Sequence, residues 1–460
     1  MLKRAQKLLP SPPPFKALLG PSFILLGLGL GSGEVILWPY LASNWGLGIV
    51  WGAVLGITFQ FFINMEIERY SLARGESVFV GLARRWAWVP YWLILSTIIG
   101  FGWPGIIASS AFLFSSVLGG DSTAVAIALL ILIGIILSTG KYIYPTIERF
   151  SQAIILIGVP SIVLLTLYLA AGTDWSELLR GIVGQGRGYS FLPVGIPLAT
   201  FLAAFAYSGA GGNLNLTQSS YIREKGYGMG HYTEKIKGLF SGGQQKIDLN
   251  GFEFQPTEQN VALFKSWWKL VNREHALVFY GLGITTILLL ALLSFVTTFG
   301  LEGNAQGIKF VLNEARVIGQ KTIPAIGSLF AVIMGIMLFS TQFSVLDSTS
   351  RIMSENYAAI QTKRTKTVNL SRAYYAFLWL QILFGIGVFA FGFKEPLTLL
   401  VIGAVINALC MFVHIGLVNW LNYKELPPEI QPHLARRILI IIAFSFFGLF
   451  SFYSLWNTFN

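Results

Sequence analysis

The sequence predicts an all-α polytopic membrane protein with about eleven transmembrane helices. Composition is the first observation: 54% of the 460 residues are hydrophobic and only 12% are charged, against about 25% charged in a soluble domain. Mean hydropathy is +0.65. The second is a series of apolar runs of the roughly 20 residues that a helix needs to cross a bilayer. They cover about 18–43, 46–67, 88–118, 123–140, 150–171, 192–221, 275–298, 325–350, 372–393, 396–422 and 434–456. The third is the placement of positive charge. With the N-terminus inside, all but Arg180, Arg187, Lys309, Arg316, Lys321 and Lys394 of the 32 Lys and Arg residues fall in the tail and the even-numbered loops, as the positive-inside rule requires.

The first run reads Phe23 to Ala42, FILLGLGLGSGEVILWPYLA. Gly31-Ser32-Gly33-Glu34 lies near its middle, where glycines weaken a helix and a carboxylate is costly in hydrocarbon. Such a break is tolerated where the segment lines a protein cavity. The second run is the least interrupted. The third contains Gly100, Gly102, Pro104 and Gly105, which predict a kink. The sixth repeats the break of the first at Ser208-Gly209-Ala210-Gly211-Gly212-Asn213 and continues as the polar stretch Leu214 to Ser220. Broken helices opening each of two groups of five predict an inverted repeat, about 18–171 and about 192–422, with one extra helix at about 434–456.

Residues 1–17 read as a cytoplasmic tail, and an odd span count puts the C-terminus outside. Residues 223–274 form the longest polar insertion, with one short amphipathic helix expected near Lys265-Ser266-Trp267-Trp268-Lys269, lying on the lipid surface. An inner (plasma) membrane is the expected location. The net charge of +11 follows topology and gives affinity for anionic lipid; nucleic acid is excluded as a partner. The bilayer and a small ion or solute are the expected partners; the oligomeric state stays open, with a monomer among the options. The lone Cys410 precludes an internal disulfide. No phosphate loop or zinc spacing is present, so neither an enzyme nor a cofactor is expected.

Paired breaks predict a secondary-transporter site at the midplane. Glu34 beside freed carbonyls is a hard-oxygen cation site, and half-helix N-termini favour anions. Gly31 and Ser32 belong to the same break. In the sixth run Tyr207, Ser208 and Ala210 offer carbonyls and Asn213 a side-chain oxygen. Ser340, Ser344, Asp347, Ser348 and Arg351 share one face of the eighth run, with Gln342 off the stripe, and Asp347 and Arg351 are spaced to pair. These residues and Asn407 of the tenth run read as pathway or gating groups. Glu66 and Glu68 are expected at the interface where the second run ends, and His414 in a polar packing contact.

These motifs resemble the Nramp (SLC11) family of divalent-metal transporters over most of the chain. The resemblance rests on Gly20-Pro21-Ser22-Phe23, the first break, Asn44-Trp45-Gly46, Trp51, Ile147-Glu148-Arg149, Gln342 and Ser344. It implies a LeuT-type fold, with a metal held between unwound helices one and six by Gly31, Glu34, Ala210 and Asn213. Where the family has Asp-Pro-Gly-Asn, this chain has Gly31-Ser32-Gly33-Glu34. The family's metal-binding Met falls at Ala210, and the following Pro-His at Gly211-Gly212. Loss of the thioether favours a hard ion such as Mg²⁺ over a soft one, with Mn²⁺ in the same class. The divalent cation is substrate, moved by alternating access; proton or Na⁺ coupling stays open. A small organic solute such as an amino acid is the second reading, since the glycines clear space. A ligand-binding membrane sensor is the third.

Overall fold

The structure is a computed structural model that describes residues 4–239, 249–302, 304, 307–362, 368–392 and 396–459. The side chains of Ser32, of 396–402, 404 and 405, and of 454, 455 and 457–459 lie outside that description. Eight described helices are long and apolar enough to cross a membrane. They are Leu47–Arg74, Val89–Leu118, Ser122–Thr139, Ile143–Leu169, Glu258–Thr298, Pro324–Thr362, Leu370–Ala390 and Leu434–Tyr453. The first run makes a ninth as a pair bent by 43°, Pro21–Gly29 and Gly33–Trp45. The tenth forms the helix Pro396–Glu425. The sixth is two short pieces, Leu198–Ala206 and Gly212–Lys225, neither able to span alone.

Local chemistry sets the helix ends. Asp121 accepts from the Ala124 N–H at 2.8 Å and Asn369 from the Arg372 N–H at 3.0 Å, each capping a helix N-terminus. Gly75 closes the second span in the left-handed conformation, its N–H donating to Ser71 at 2.7 Å. Pro104 lacks an N–H and splits the third span at Gly102.

The eighth span is central: 78% of its apolar window is buried, against 28% for the fifth and the eleventh. The latter two therefore face lipid. On the side away from the N-terminal tail, a hairpin of Gln185–Gly186 and Tyr189–Ser190 covers the start of the second span. Tyr189 donates there to the Trp45 carbonyl at 2.7 Å.

On the tail side, Ala5–Gln6 pairs in parallel with Phe252–Glu253. The expected short surface helix is longer, Glu258–His275, and runs on into the seventh span. Its apolar side meets protein instead of lipid. Phe264, Trp267 and Val271 are buried, and the Trp267 indole donates to the Pro10 carbonyl at 2.7 Å. The tail covers the patch that would otherwise seek a membrane surface.

Glu76, in the loop after the second span, fastens this cover. It accepts from Arg4 at 2.9 Å, from Arg84 at 2.8 and 2.9 Å, and from the Gly251 N–H at 2.7 Å. Burial alone would raise its pKa, but the Arg84 and Arg4 guanidiniums lower it from 4.5 to about 2. A depressed carboxylate gives full stabilisation above its unfolded value and loses it as pH falls through its folded value. Hydrogen exchange over residues 4–10, corrected for intrinsic rates, should show constant protection from pH 8 to about 5. Protection should then decline toward pH 2.5; an unchanged value there would refute the clamp.

Candidate functional site

The two breaks meet at close range because both are made of glycine. A Cβ on Gly33 would sit 2.2 Å from the Tyr207 carbonyl oxygen, and one on Gly29 would sit 3.0 Å from the Gly209 Cα. Gly209, Gly211 and Gly212 have φ of +136°, +71° and +52°, angles that other residues rarely adopt. Between the breaks lies a cavity of about 10 Å³, room for about one water-sized particle. Gly29, Gly33, Tyr207, Gly209, Ala210 and Thr341 are among its lining residues.

Glu34 is fully buried just behind this cavity. Its Oε2 accepts from Thr286 of the seventh span at 2.8 Å. Its Oε1 has no hydrogen-bond partner among the described residues, and lies 3.2 Å from where a Gly29 Cβ would be. One free carboxylate oxygen therefore lies against the backbone of the first break. No group of three or more His, Cys, Asp or Glu that could hold a metal occurs among the described residues. A cation here would meet one carboxylate and neutral oxygens.

The other expected site residues divide. Tyr207 and Ala210 line the cavity. The Gly31 carbonyl already accepts the Val35 N–H at 2.9 Å, and the Gly31 Cα faces Thr341. The Ser32 side chain lies outside the described residues. Asn213 is turned to the third span, its amide donating to Ser96 at 2.8 Å and Thr97 at 3.0 Å, while its Oδ1 has no partner among the described residues. Ser208 bonds the Trp38 indole at 2.9 Å and the Ala204 carbonyl at 2.9 Å, a packing role.

Asn407 donates to the Tyr207 hydroxyl at 2.9 Å, and His414, seven residues on, contacts the Gly212 carbonyl at 3.0 Å. The tenth span thus braces the second break. Gln342 Oε1 and Ser344 Oγ are buried without hydrogen-bond partners among the described residues, the latter beside Gly27.

Asp347 and Arg351 pair at 2.9 Å, as their spacing predicts, and anchor a wider network on the tail side. Asp347 also accepts from Tyr221 at 2.8 Å and Tyr374 at 2.7 Å. Arg351 reaches Glu224, and next to it Glu355 takes Arg223 at 2.9 Å, Ser220 at 2.8 Å and Ser77 at 2.5 Å. The second half of the sixth span is thereby locked to the eighth.

Three supporting residues escaped the sequence reading. Gln60 of the second span donates to the Ala206 carbonyl at 3.0 Å and accepts from the Gly211 N–H at 3.0 Å, bridging both ends of the second break. Thr341 donates to the freed Gly27 carbonyl at 3.0 Å. Thr286 holds Glu34. An amide within an apolar run, four residues before Asn64, was the only signal for Gln60.

No family model matches the sequence, and neither does any curated protein. Solved structures do match. A manganese transporter of Eremococcus coleocola superposes with a TM-score of 0.69 at 11% identity, over 98% of this chain and 89% of that one. MhsT, solved with L-phenylalanine, matches at 0.50 and 15% identity, over 94% and 98%. Mhp1, of the nucleobase-cation-symport-1 family, matches at 0.51 and 13%, over 95% and 93%. The chain is a multi-pass membrane protein of the LeuT-type fold.

Proposed function

We propose that this protein is an Nramp-related secondary transporter that moves a divalent cation of the Mg²⁺ or Mn²⁺ class by alternating access. One observation carries the reading: a buried Glu34 carboxylate with a free oxygen behind an ion-sized cavity, where the two helix breaks meet. A cavity of about 10 Å³ is far below the roughly 300–1,000 Å³ of clefts that hold organic ligands. That favours a cation over an amino acid. The likeness to a manganese transporter supports the same choice. Oxygen donors alone, with no sulfur among them, favour a hard ion. Gly31, Ser32, Ala210 and Asn213 would complete the site in the conformation that admits it. Residues 18–171 and 192–422 would be the repeats, and the tail, the loop 223–274 and the Asp347–Arg351 network would lie on the cytoplasmic side of an inner membrane, with the C-terminus outside.

Isothermal titration of the purified protein with Mg²⁺, Mn²⁺ and Ca²⁺ tests this. Saturable binding is expected, falling at least tenfold in Glu34→Gln. Binding that Glu34→Gln leaves unchanged would remove Glu34 from the site. No binding by any of the three would favour an organic solute.

A further inference from the structure

On the tail side of the breaks, a second set of buried polar side chains is under-bonded among the described residues. Gln60, Asn64 and Glu68 recur every four residues along the second span and so share one face. Gln60 is bonded to the sixth-span break, and Ser71 donates to the Ser219 carbonyl at 2.7 Å. Those two bonds register the second span against the sixth and bring Asn64 and Glu68 level with Asn215 and Gln218. All four are fully buried. Neither amide atom of Asn64 or Asn215 has a hydrogen-bond partner among the described residues, and the Gln218 amide makes only a loose contact with the Glu68 carboxylate. Glu68 lies beside Gln218 and within electrostatic reach of Glu274 and Arg436.

The charges around Glu68 do not balance. Arg69 pairs with Glu66 at 2.7 Å, and Arg436 also meets Glu66, at 3.4 Å. The nearby Lys225 is engaged by Glu148 at 2.5 Å. Glu66, Glu68 and Glu274 against Arg69 and Arg436 leave one negative charge over. Buried carboxylates in that position need a counter-charge. A proton would satisfy one oxygen of Glu68 and leave the amides as they are. A small cation would engage both carboxylate oxygens and the amide oxygens of Asn64, Asn215 and Gln218 together, as hard cations prefer.

We propose that Asn64, Glu68, Asn215 and Gln218 form a second cation site, for one monovalent hard cation such as Na⁺, separate from the cavity at the breaks. Glu274 extends its reach. Glu274 accepts from the Ser22 hydroxyl and from the Gly20 N–H at 3.3 Å, at the start of the first half-helix. An ion at Glu68 therefore relieves the repulsion that Glu274 exerts and holds together the first, second, sixth and seventh spans. That stabilises a closed tail side. The site does not rest on which solute crosses at the midplane.

The test is thermal unfolding of the full chain, purified in detergent and freed of divalent ions, in NaCl against choline chloride at equal ionic strength and pH 7.5. Na⁺ should raise Tm saturably, by roughly 2 °C at ten times its Kd, with K⁺ at least tenfold weaker. Glu68→Gln should abolish the rise and Gln218→Leu should weaken Na⁺ binding at least tenfold. Melting of both variants in choline near the wild-type temperature establishes that they fold. Glu34→Gln should keep the full Na⁺ response, and a Na⁺ response that persists where divalent binding fails separates this site from the proposed substrate. No Na⁺ response in the wild type, or equal responses in both variants, would overturn the proposal. So would a rise that follows pH and not Na⁺, which would place a proton on Glu68.

Discussion

Arg351→Gln is expected to cost about 3–5 kcal/mol of stability, the range for removing one partner of a buried ion pair. Arg351 is completely buried between Asp347 and Glu224. Without it Asp347 stays in a low-dielectric interior with no cation beside it, and Glu224 keeps only Arg223 at 3.9 Å. Asp347→Asn should cost clearly less. It keeps one of the two oxygens to which the Tyr221 and Tyr374 hydroxyls donate, and Arg351 keeps Glu224 as its counter-charge. Thermal or denaturant unfolding in detergent gives the comparison. Arg351 also ties the sixth span to the eighth through Glu224, so labelling of a cysteine placed on the sixth span, at Ser219, should speed up in Arg351→Gln. Wild-type stability in both variants would mean that the network contributes nothing to the fold.

Gly33→Ala is expected to remove ion binding and to lower stability by about 1–3 kcal/mol, the usual range for overpacking. Its added methyl would meet the Tyr207 carbonyl at 2.2 Å and the Tyr207 Cβ at 2.7 Å. These are groups on the opposite break, and the Tyr207 ring is fixed by Asn407. The breaks must separate, and the cavity between them loses its walls. Gly387→Ala is the control: nothing lies within 4 Å of its Cβ position, and it sits within the helix Leu370–Ala390. It should be neutral or slightly stabilising. Divalent-ion titration of both variants decides; retained binding in Gly33→Ala would place the site elsewhere.

Hydropathy and glycine placement made the two breaks legible, because breaking a helix in hydrocarbon leaves a mark in the residues themselves. The stripe from Ser340 to Arg351 was legible for the same reason: one helix carries its own periodicity. What stayed hidden depends on neighbours distant in sequence. Asn213 was expected to face the ion, but Ser96 and Thr97 hold its amide on the third span. Gln60 and Thr341 look like isolated polar residues until the backbone groups they satisfy are brought beside them. Glu68 was expected at an interface because the apolar run fades near residue 67. The helix continues to Arg74, since the tail and the loop before the seventh span supply a protein cover that hydropathy does not register. The same cover gave the expected lipid-lying helix a protein partner for its apolar face.

The anchoring of Gly20 and Ser22 by Glu274 has a consequence for biogenesis. The partners are 254 residues apart in the chain, and synthesis proceeds at about 5–20 residues per second. The start of the first half-helix therefore waits about 13–50 s for the carboxylate that holds it. The first span must enter the membrane before its own anchor exists. Maturation of the closed protein is thus timed by the arrival of the seventh span, and a ribosome stalled before residue 274 would release a chain whose first helix has no fixed end.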